Sequence, residues 1–83
     1  MEFTVRSMTR LEGGKVKAVA EVDYAGLRLR GLKLEEREGR LDLTMPGRRV
    51  AGKWQLVFEV QAGELHRRLH EVLTREYQTG RAA

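Results

Sequence analysis

Pro46, the only proline of the 83-residue chain, interrupts a stretch in which apolar and polar residues otherwise alternate. Alternation runs through residues 41–45 and resumes at Trp54. Because proline cannot donate to a sheet ladder and holds the preceding residue extended, Met45 can end a strand, whereas Pro46 cannot lie inside one. The stretch 41–60 therefore predicts two strands that are joined by a turn.

This turn is rich in positive charge. Two arginines stand between two glycines and a lysine follows directly: Gly47, Arg48, Arg49, Gly52 and Lys53. Glycine adopts positive φ at little cost, which suits a turn. A cationic loop that a sheet holds at both ends is a rigid mount for contacts with phosphate or carboxylate. Arginines that only keep a hairpin in solution give the same pattern, so both interpretations stay open.

Length and composition set the broad class. The chain is short enough to predict one domain over residues 1–83, and without cysteine it has no disulfide or thiolate metal site to stabilise it. A formal net charge of +4 favours polyanionic partners. No apolar run reaches the roughly 20 residues of a membrane span, and the first residues do not resemble a signal peptide. We therefore expect a cytoplasmic protein with no membrane partner.

Period-two alternation predicts most of the fold. It is cleanest from Val16 to Tyr24, and it slips between Val5 and Met8 and again at Gly31, which predicts a β-bulge at each place. The charged run 35–40 is predicted to be a solvated turn. Five antiparallel strands result, at residues 2–11, 15–24, 27–34, 41–45 and 54–60.

The period changes after Gln61, which predicts an amphipathic helix that ends near Gly80 with a flexible tail over 79–83. Its apolar positions are Leu65, Leu69, Val72, Leu73 and Tyr77. Glu64 with Arg68 and Glu71 with Arg75 have the spacing of stabilising ion pairs. The expected fold class is α+β, a five-stranded antiparallel sheet with one C-terminal helix.

One helix cannot cover a five-stranded sheet. An edge strand or part of the second face is left over, and Val19 and Val57 lie on the side away from the main apolar stripe. We therefore expect a homodimer that forms through an edge strand or through that face.

The order of elements and three segments resemble the SpoVG (stage V sporulation protein G) family of septation regulators. The segments are KVKAVAEV at residues 15–22, LDLTMPGRR at 41–49 and LHRRLHEVLTREY at 65–77. The family pattern of "MP", a small residue and two basic residues is matched by residues 45–49. Residues 59–61 depart from it, since the family usually has a histidine and a proline just before the helix.

The resemblance covers nearly the whole chain, and it implies a small α+β dimer that binds DNA or RNA and acts as a regulator in bacteria. Composition and periodicity are compatible with that function without showing it. The residues that would contact nucleic acid are then the loop cations, with help from three helix arginines: Arg48, Arg49, Lys53, Arg67, Arg68 and Arg75. Contacts of this kind read backbone phosphates more than base edges. Arg81 lies in the predicted tail.

Other candidate sites favour structural roles. His66 and His70 have a spacing that can chelate a metal, but no third ligand accompanies them, so packing or a dimer contact is the preferred role. Trp54 and Tyr24 could stack on bases, yet their parity places both in the predicted core.

No catalytic constellation or phosphate-binding glycine loop is present in the sequence. We therefore expect a binding protein with no enzymatic activity, cofactor, metal or small-molecule substrate. The alternative function is a protein-interaction module, in which the basic loop or an open sheet edge binds an acidic partner.

Overall fold

The computed structural model describes residues 2–80 and has an α+β fold. Six strands precede one helix: β1 (Thr4–Arg10), β2 (Val16–Tyr24), β3 (Leu27–Arg37), β4 (Arg40–Thr44), β5 (Gly47–Val50), β6 (Lys53–Leu56) and α1 (Glu64–Thr79). Arg81, which was assigned to the predicted tail, and the last two residues of that tail lie outside the described residues. Within the described residues, no helix has the length and apolar character needed to cross a bilayer.

The strands form two sheets, where the sequence predicted one sheet of five strands. Strands β1 to β4 form an antiparallel sheet in chain order, and β5 pairs with β6 in a separate two-stranded sheet. The chain leaves the first sheet at Pro46, which has no N–H to continue a ladder. The α+β class is therefore confirmed, whereas the single five-stranded sheet is wrong.

Both predicted bulges are present. The β1–β2 register shifts between Val5 and Ser7, and the β2–β3 register shifts opposite Gly31. Gly31 has φ 77°, and a Cβ there would lie 3.2 Å from Cβ of Pro46. Only glycine suits both the left-handed backbone and the close approach of Pro46.

The core lies between one face of the four-stranded sheet and the helix. Its fully buried side chains come from strands β1 to β3 and from α1: Met8, Ala18, Ala20, Val22, Leu32, Leu34, Leu69 and Leu73. This placement confirms the predicted parity of β2 and the apolar stripe of the helix. The small side chains of Ala18 and Ala20 leave room for the helix to pack closely.

Two contacts fix the helix along the sheet. Nε2 of His70 lies 2.6 Å from the carbonyl oxygen of Leu41 in β4, consistent with the packing role predicted for this residue. Arg10 in β1 donates to the carbonyl oxygen of Tyr77 and lies over the Tyr77 ring, 4.5 Å from its centroid. Cations near a helix C-terminus are favourable, and α1 has no basic residue in its own last turn.

Two local predictions are wrong. The charged run 35–40 continues β3 as far as Arg37, because its charged side chains have partners on the neighbouring strands and the turn needs only Glu38 and Gly39. The last strand ends at Leu56 rather than Val60. The segment beyond it carries the chain back to the core, where Phe58 and Val60 are half-buried.

Candidate nucleic-acid interface

Strands β5 and β6 and the turn between them form a two-stranded ribbon, residues 47–56. Its base is fixed to the core by Met45, which is buried, and by the half-buried Phe58. The N–H of Val57 donates to the carbonyl oxygen of Pro46 at 2.9 Å, which continues the ladder to that base. No side chain of the ribbon is buried, and every residue after Gly47 is exposed. The ribbon is therefore open to solvent on both faces.

The turn of the ribbon lies at Ala51 and Gly52, further along the chain than the sequence predicted. Both residues have positive φ, 52° and 78°, as in the type I′ turns that match the twist of a hairpin. Arg48 and Arg49 are consequently strand residues of β5 instead of loop residues. Their side chains alternate between faces, as all strand side chains do.

The register of the ribbon decides which side chains share a face. Arg49 is paired with Trp54, Arg48 with Gln55, and Val50 with Lys53. Cross-strand partners point to the same side, so one face carries Arg48 and Lys53 and the other carries Arg49 and Trp54. The structure therefore brings Arg48 and Lys53 together on one face of the ribbon and places Arg49, the third predicted loop cation, on the other face.

The ribbon cations are unpaired within the described part of the chain. Among residues 2–80, no hydrogen bond or ion pair involves the side chain of Arg48, Arg49 or Lys53. No acidic residue occurs between Asp42 and Glu59. Their charges are therefore fully available to an anion from outside residues 2–80.

Arginines on the outer face of the four-stranded sheet are placed differently. Asp23 accepts from Arg6 at 3.3 Å and from Arg28 at 3.1 Å, and Arg30 lies 3.7 Å from Glu21. Partial burial alone would raise the pKa of Asp23, but Arg28 and Arg6 outweigh it and lower this pKa. These arginines already have carboxylate partners in the fold.

Glu35 belongs to the same charged face. The Thr44 hydroxyl donates to its carboxylate at 2.8 Å and Arg37 donates at 3.2 Å. The two hydrogen bonds, that from Thr44 first, lower the pKa of Glu35. The face that the sequence left open for a dimer contact is thus occupied by cross-strand ion pairs.

The three helix arginines differ from one another. Arg67 lies between Glu64 at 2.6 Å and Glu71 at 2.5 Å, contacts that raise its pKa and neutralise it locally. The predicted pairing differs, because Glu71 binds Arg67 rather than Arg75. Arg68 lies 6.0 Å from the centroid of the Phe3 ring. Arg75 is exposed and has no partner among residues 2–80.

His66 and His70 line a shallow depression together with Asp42 and Thr44. His70 is engaged by the carbonyl of Leu41, as described above. Across residues 2–80, histidine, cysteine and acidic side chains form no group of three that could hold a metal ion.

Trp54 is the residue that sequence reasoning misplaced. It was predicted to lie in the core, but its exposed fraction is 58%. Tyr24, predicted likewise, is half-buried and stacks on Phe3 with ring centroids 4.3 Å apart. Pro46 is the sequence feature that could have indicated an exposed Trp54. A strand pair that follows a break in the ladder need not rejoin the first sheet.

Comparison with known proteins adds no relative. No protein-family model matches the chain, and no curated protein or solved structure matches it significantly. The likeness to the SpoVG family remains a resemblance carried by the segments at residues 15–22, 41–49 and 65–77.

Proposed function

We propose that this chain is a nucleic-acid-binding regulator of the SpoVG type, a cytoplasmic binding protein rather than an enzyme. The observation that carries the proposal is the ribbon. Arg48, Arg49 and Lys53 lie on an exposed two-stranded element, and no carboxylate of residues 2–80 pairs with them. Guanidinium and ammonium groups in such a position are suited to phosphate oxygens.

Local charge supports a polyanion as the partner. The ribbon contributes three of the four net positive charges of the chain within ten residues. Elsewhere in residues 2–80, cationic side chains such as Arg28, Arg30 and Arg67 already face carboxylates. Binding then occurs through the phosphate backbone of DNA or RNA, and Arg75 and Arg68 on the helix are secondary candidates.

A homodimer is part of the same proposal. Two copies would double the number of phosphate contacts and raise affinity by a linked, bivalent contact. Val57 and Leu27 are the most exposed large apolar residues of the described chain, at 62% and 61%, and are candidates for the contact between two copies. Solution mass, measured by light scattering at several concentrations, tests this point separately.

The proposal is tested by a low-salt binding screen of duplex DNA, single-stranded DNA and RNA. Affinity should fall log-linearly with salt because binding releases counterions. The double variant R48A/R49A should lower that slope by about two, one unit for each lost phosphate contact. Absence of binding to every nucleic acid at low salt would overturn the proposal, and unchanged binding by the double variant would exclude the ribbon.

The second candidate is a protein-interaction module that binds an acidic partner. It is favoured by the exposed Trp54 and Leu56 beside the ribbon cations, since interfaces combine apolar and charged groups. The same screen separates the two functions. A protein that ignores nucleic acid but binds an acidic polypeptide at low salt would support this candidate.

A further inference from the structure

Trp54 is held against the backbone of the opposite strand. A Cβ at Gly47 would lie 2.6, 2.6 and 2.7 Å from the ring atoms Cε2, Cζ2 and Nε1. A point almost equidistant from three bonded ring atoms at that distance cannot lie in the ring plane. The indole therefore turns one face toward Gly47, and glycine is the residue that permits this contact.

The other side of the ring is accessible. Although one face is seated on Gly47, the exposed fraction of Trp54 is 58%. Large aromatic rings are usually covered in a folded protein because they bury 150–250 Å² each. Trp54 instead combines a fixed position with an open surface, which is what a stacking platform requires.

Arg49 is the cation that lies beside the Trp54 ring. Arg49 is the cross-strand partner of Trp54 and shares its face of the ribbon. Arg48 and Lys53 lie on the opposite face, so Arg49 is the ribbon cation that belongs with the ring. An aromatic ring beside a guanidinium matches a nucleotide, which presents a flat base beside an anionic phosphate.

We propose that Trp54 stacks on an unpaired base of a nucleic-acid single strand while Arg49 contacts an adjoining phosphate. This inference rests on the proposed function and names its partner class, single-stranded rather than fully duplex. In a duplex the base faces are hidden by their neighbours, so the ring has nothing to stack on except at ends and bulges.

Charge argues against a second copy of the chain on this face. The ribbon bears three positive charges and no negative one. Packing one Trp54 face on another would bring the two Arg49 side chains together, with the other four ribbon cations behind them and no carboxylate of the ribbon to offset the charge, and desolvation strengthens such repulsion. An anionic occupant removes that cost.

The experiment uses Trp54 as its own probe, because it is the only tryptophan of the chain. The full-length protein is titrated with oligo-dT, with an abasic oligomer of equal length, and with a blunt duplex. Oligo-dT should quench the tryptophan emission. The abasic strand, which offers phosphates without bases, should bind more weakly and leave the emission almost unchanged.

Variants separate stacking from charge. In anisotropy titrations with a labelled oligo-dT, which do not need the tryptophan, Trp54→Ala should weaken binding about tenfold or more, whereas Trp54→Phe should retain most of the affinity. Neither should alter the salt slope, since no phosphate contact is lost. Val50→Ala, a change at an exposed residue on the opposite face, is the matched control and should bind as wild type. Because Trp54 is exposed, each variant should stay folded, which circular dichroism checks.

Each contrary result has a distinct meaning. Equal affinity for the abasic strand and oligo-dT, or unchanged binding by Trp54→Ala, would overturn the stacking proposal and leave phosphate binding intact. No binding to any nucleic acid would overturn the proposed function as well. Emission that depends on protein concentration without nucleic acid, together with a smaller solution mass for Trp54→Ala, would assign the ring to self-association and overturn the proposal.

Discussion

Two regions of this molecule carry arginines in similar density but in opposite circumstances. On the outer face of the four-stranded sheet, Arg28 lies 3.1 Å from Asp23 and Arg30 lies 3.7 Å from Glu21. On the ribbon, Arg48 and Arg49 have no partner among residues 2–80. A count of arginines treats the two regions alike, whereas the structure separates cations that are already neutralised from cations that are available.

The same regions differ in how they are stabilised. The sheet and helix share a core in which Met8, Leu32, Leu34, Leu69 and Leu73 are almost fully buried. The ribbon buries none of its side chains, and two-stranded hairpins are only marginally stable without support. Stability therefore resides in the sheet and helix, and the ribbon is an appendage fixed at its base.

The largest expected effect follows from this division of stability. Leu73→Ala should lower the free energy of unfolding by about 3 kcal/mol, because it leaves a cavity in the core. Leu56→Ala removes the same atoms from the exposed ribbon and should cost less than about 1 kcal/mol. Denaturant unfolding of both variants measures the difference, and equal losses would show that the ribbon belongs to the cooperative core.

Charge reversal sharpens the comparison of the two arginine groups. Arg48→Glu should weaken nucleic-acid binding by roughly one to two orders of magnitude at low salt, because it replaces attraction with repulsion. Unfolding should hardly change, since Arg48 has no partner to lose within residues 2–80.

Arg28→Glu is the matched change on the sheet. It places a second carboxylate beside Asp23 and should reduce stability slightly, while binding stays within a few-fold of wild type. Titration and denaturant unfolding of both reversals check the pair. Equal binding losses would mean that pairing does not decide which arginines contact nucleic acid.

Acid should destabilise the sheet through Glu35. Its pKa is lowered in the folded protein, so its contribution to stability is present above the ordinary glutamate pKa of about 4.3 and is lost as the pH falls through its folded pKa. Melting temperature should therefore drop below about pH 4, and Glu35→Gln and Thr44→Val should each flatten that drop. Identical pH profiles for all three proteins would refute the role of these hydrogen bonds.

The smallest effect is expected on the helix. Arg67→Ala breaks contacts with Glu64 and Glu71, and its effect on stability should be close to the error of a denaturant measurement, because both contacts are solvent-exposed. The salt slope of nucleic-acid binding should change far less than on loss of Arg48, because Arg67 is locally neutralised. A slope change of one full unit would place Arg67 in contact with phosphate.

Much of the fold was predictable because local patterns determine it. The alternation of β2, the bulge at Gly31 and the apolar stripe of α1 each reflect a period that a few neighbouring residues define. The contact of Arg10 with Tyr77 was not predictable, because it joins residues 67 positions apart. The partner of Glu71 was missed because Arg67 and Arg75 both lie four residues from it, one on each side along the helix.

Trp54 shows where pattern reasoning fails at the candidate site. Parity correctly groups Trp54 with Leu56 on one side of β6, but it does not say whether another element covers that side. Coverage depends on whether the ribbon joins the first sheet, and Pro46 prevents this. The cations themselves were predictable from the sequence, whereas their lack of partners and their division between two faces needed the structure.

The most direct test of the central claim measures two double variants in parallel. R48A/R49A and R28A/R30A remove the same two charges, one pair unpartnered and the other bound to carboxylates. The dependence of nucleic-acid affinity on salt should lose about two units of slope in the ribbon variant and remain close to wild type in the sheet variant. Equal slopes in the two variants would contradict the claim that unpaired ribbon cations hold the phosphates.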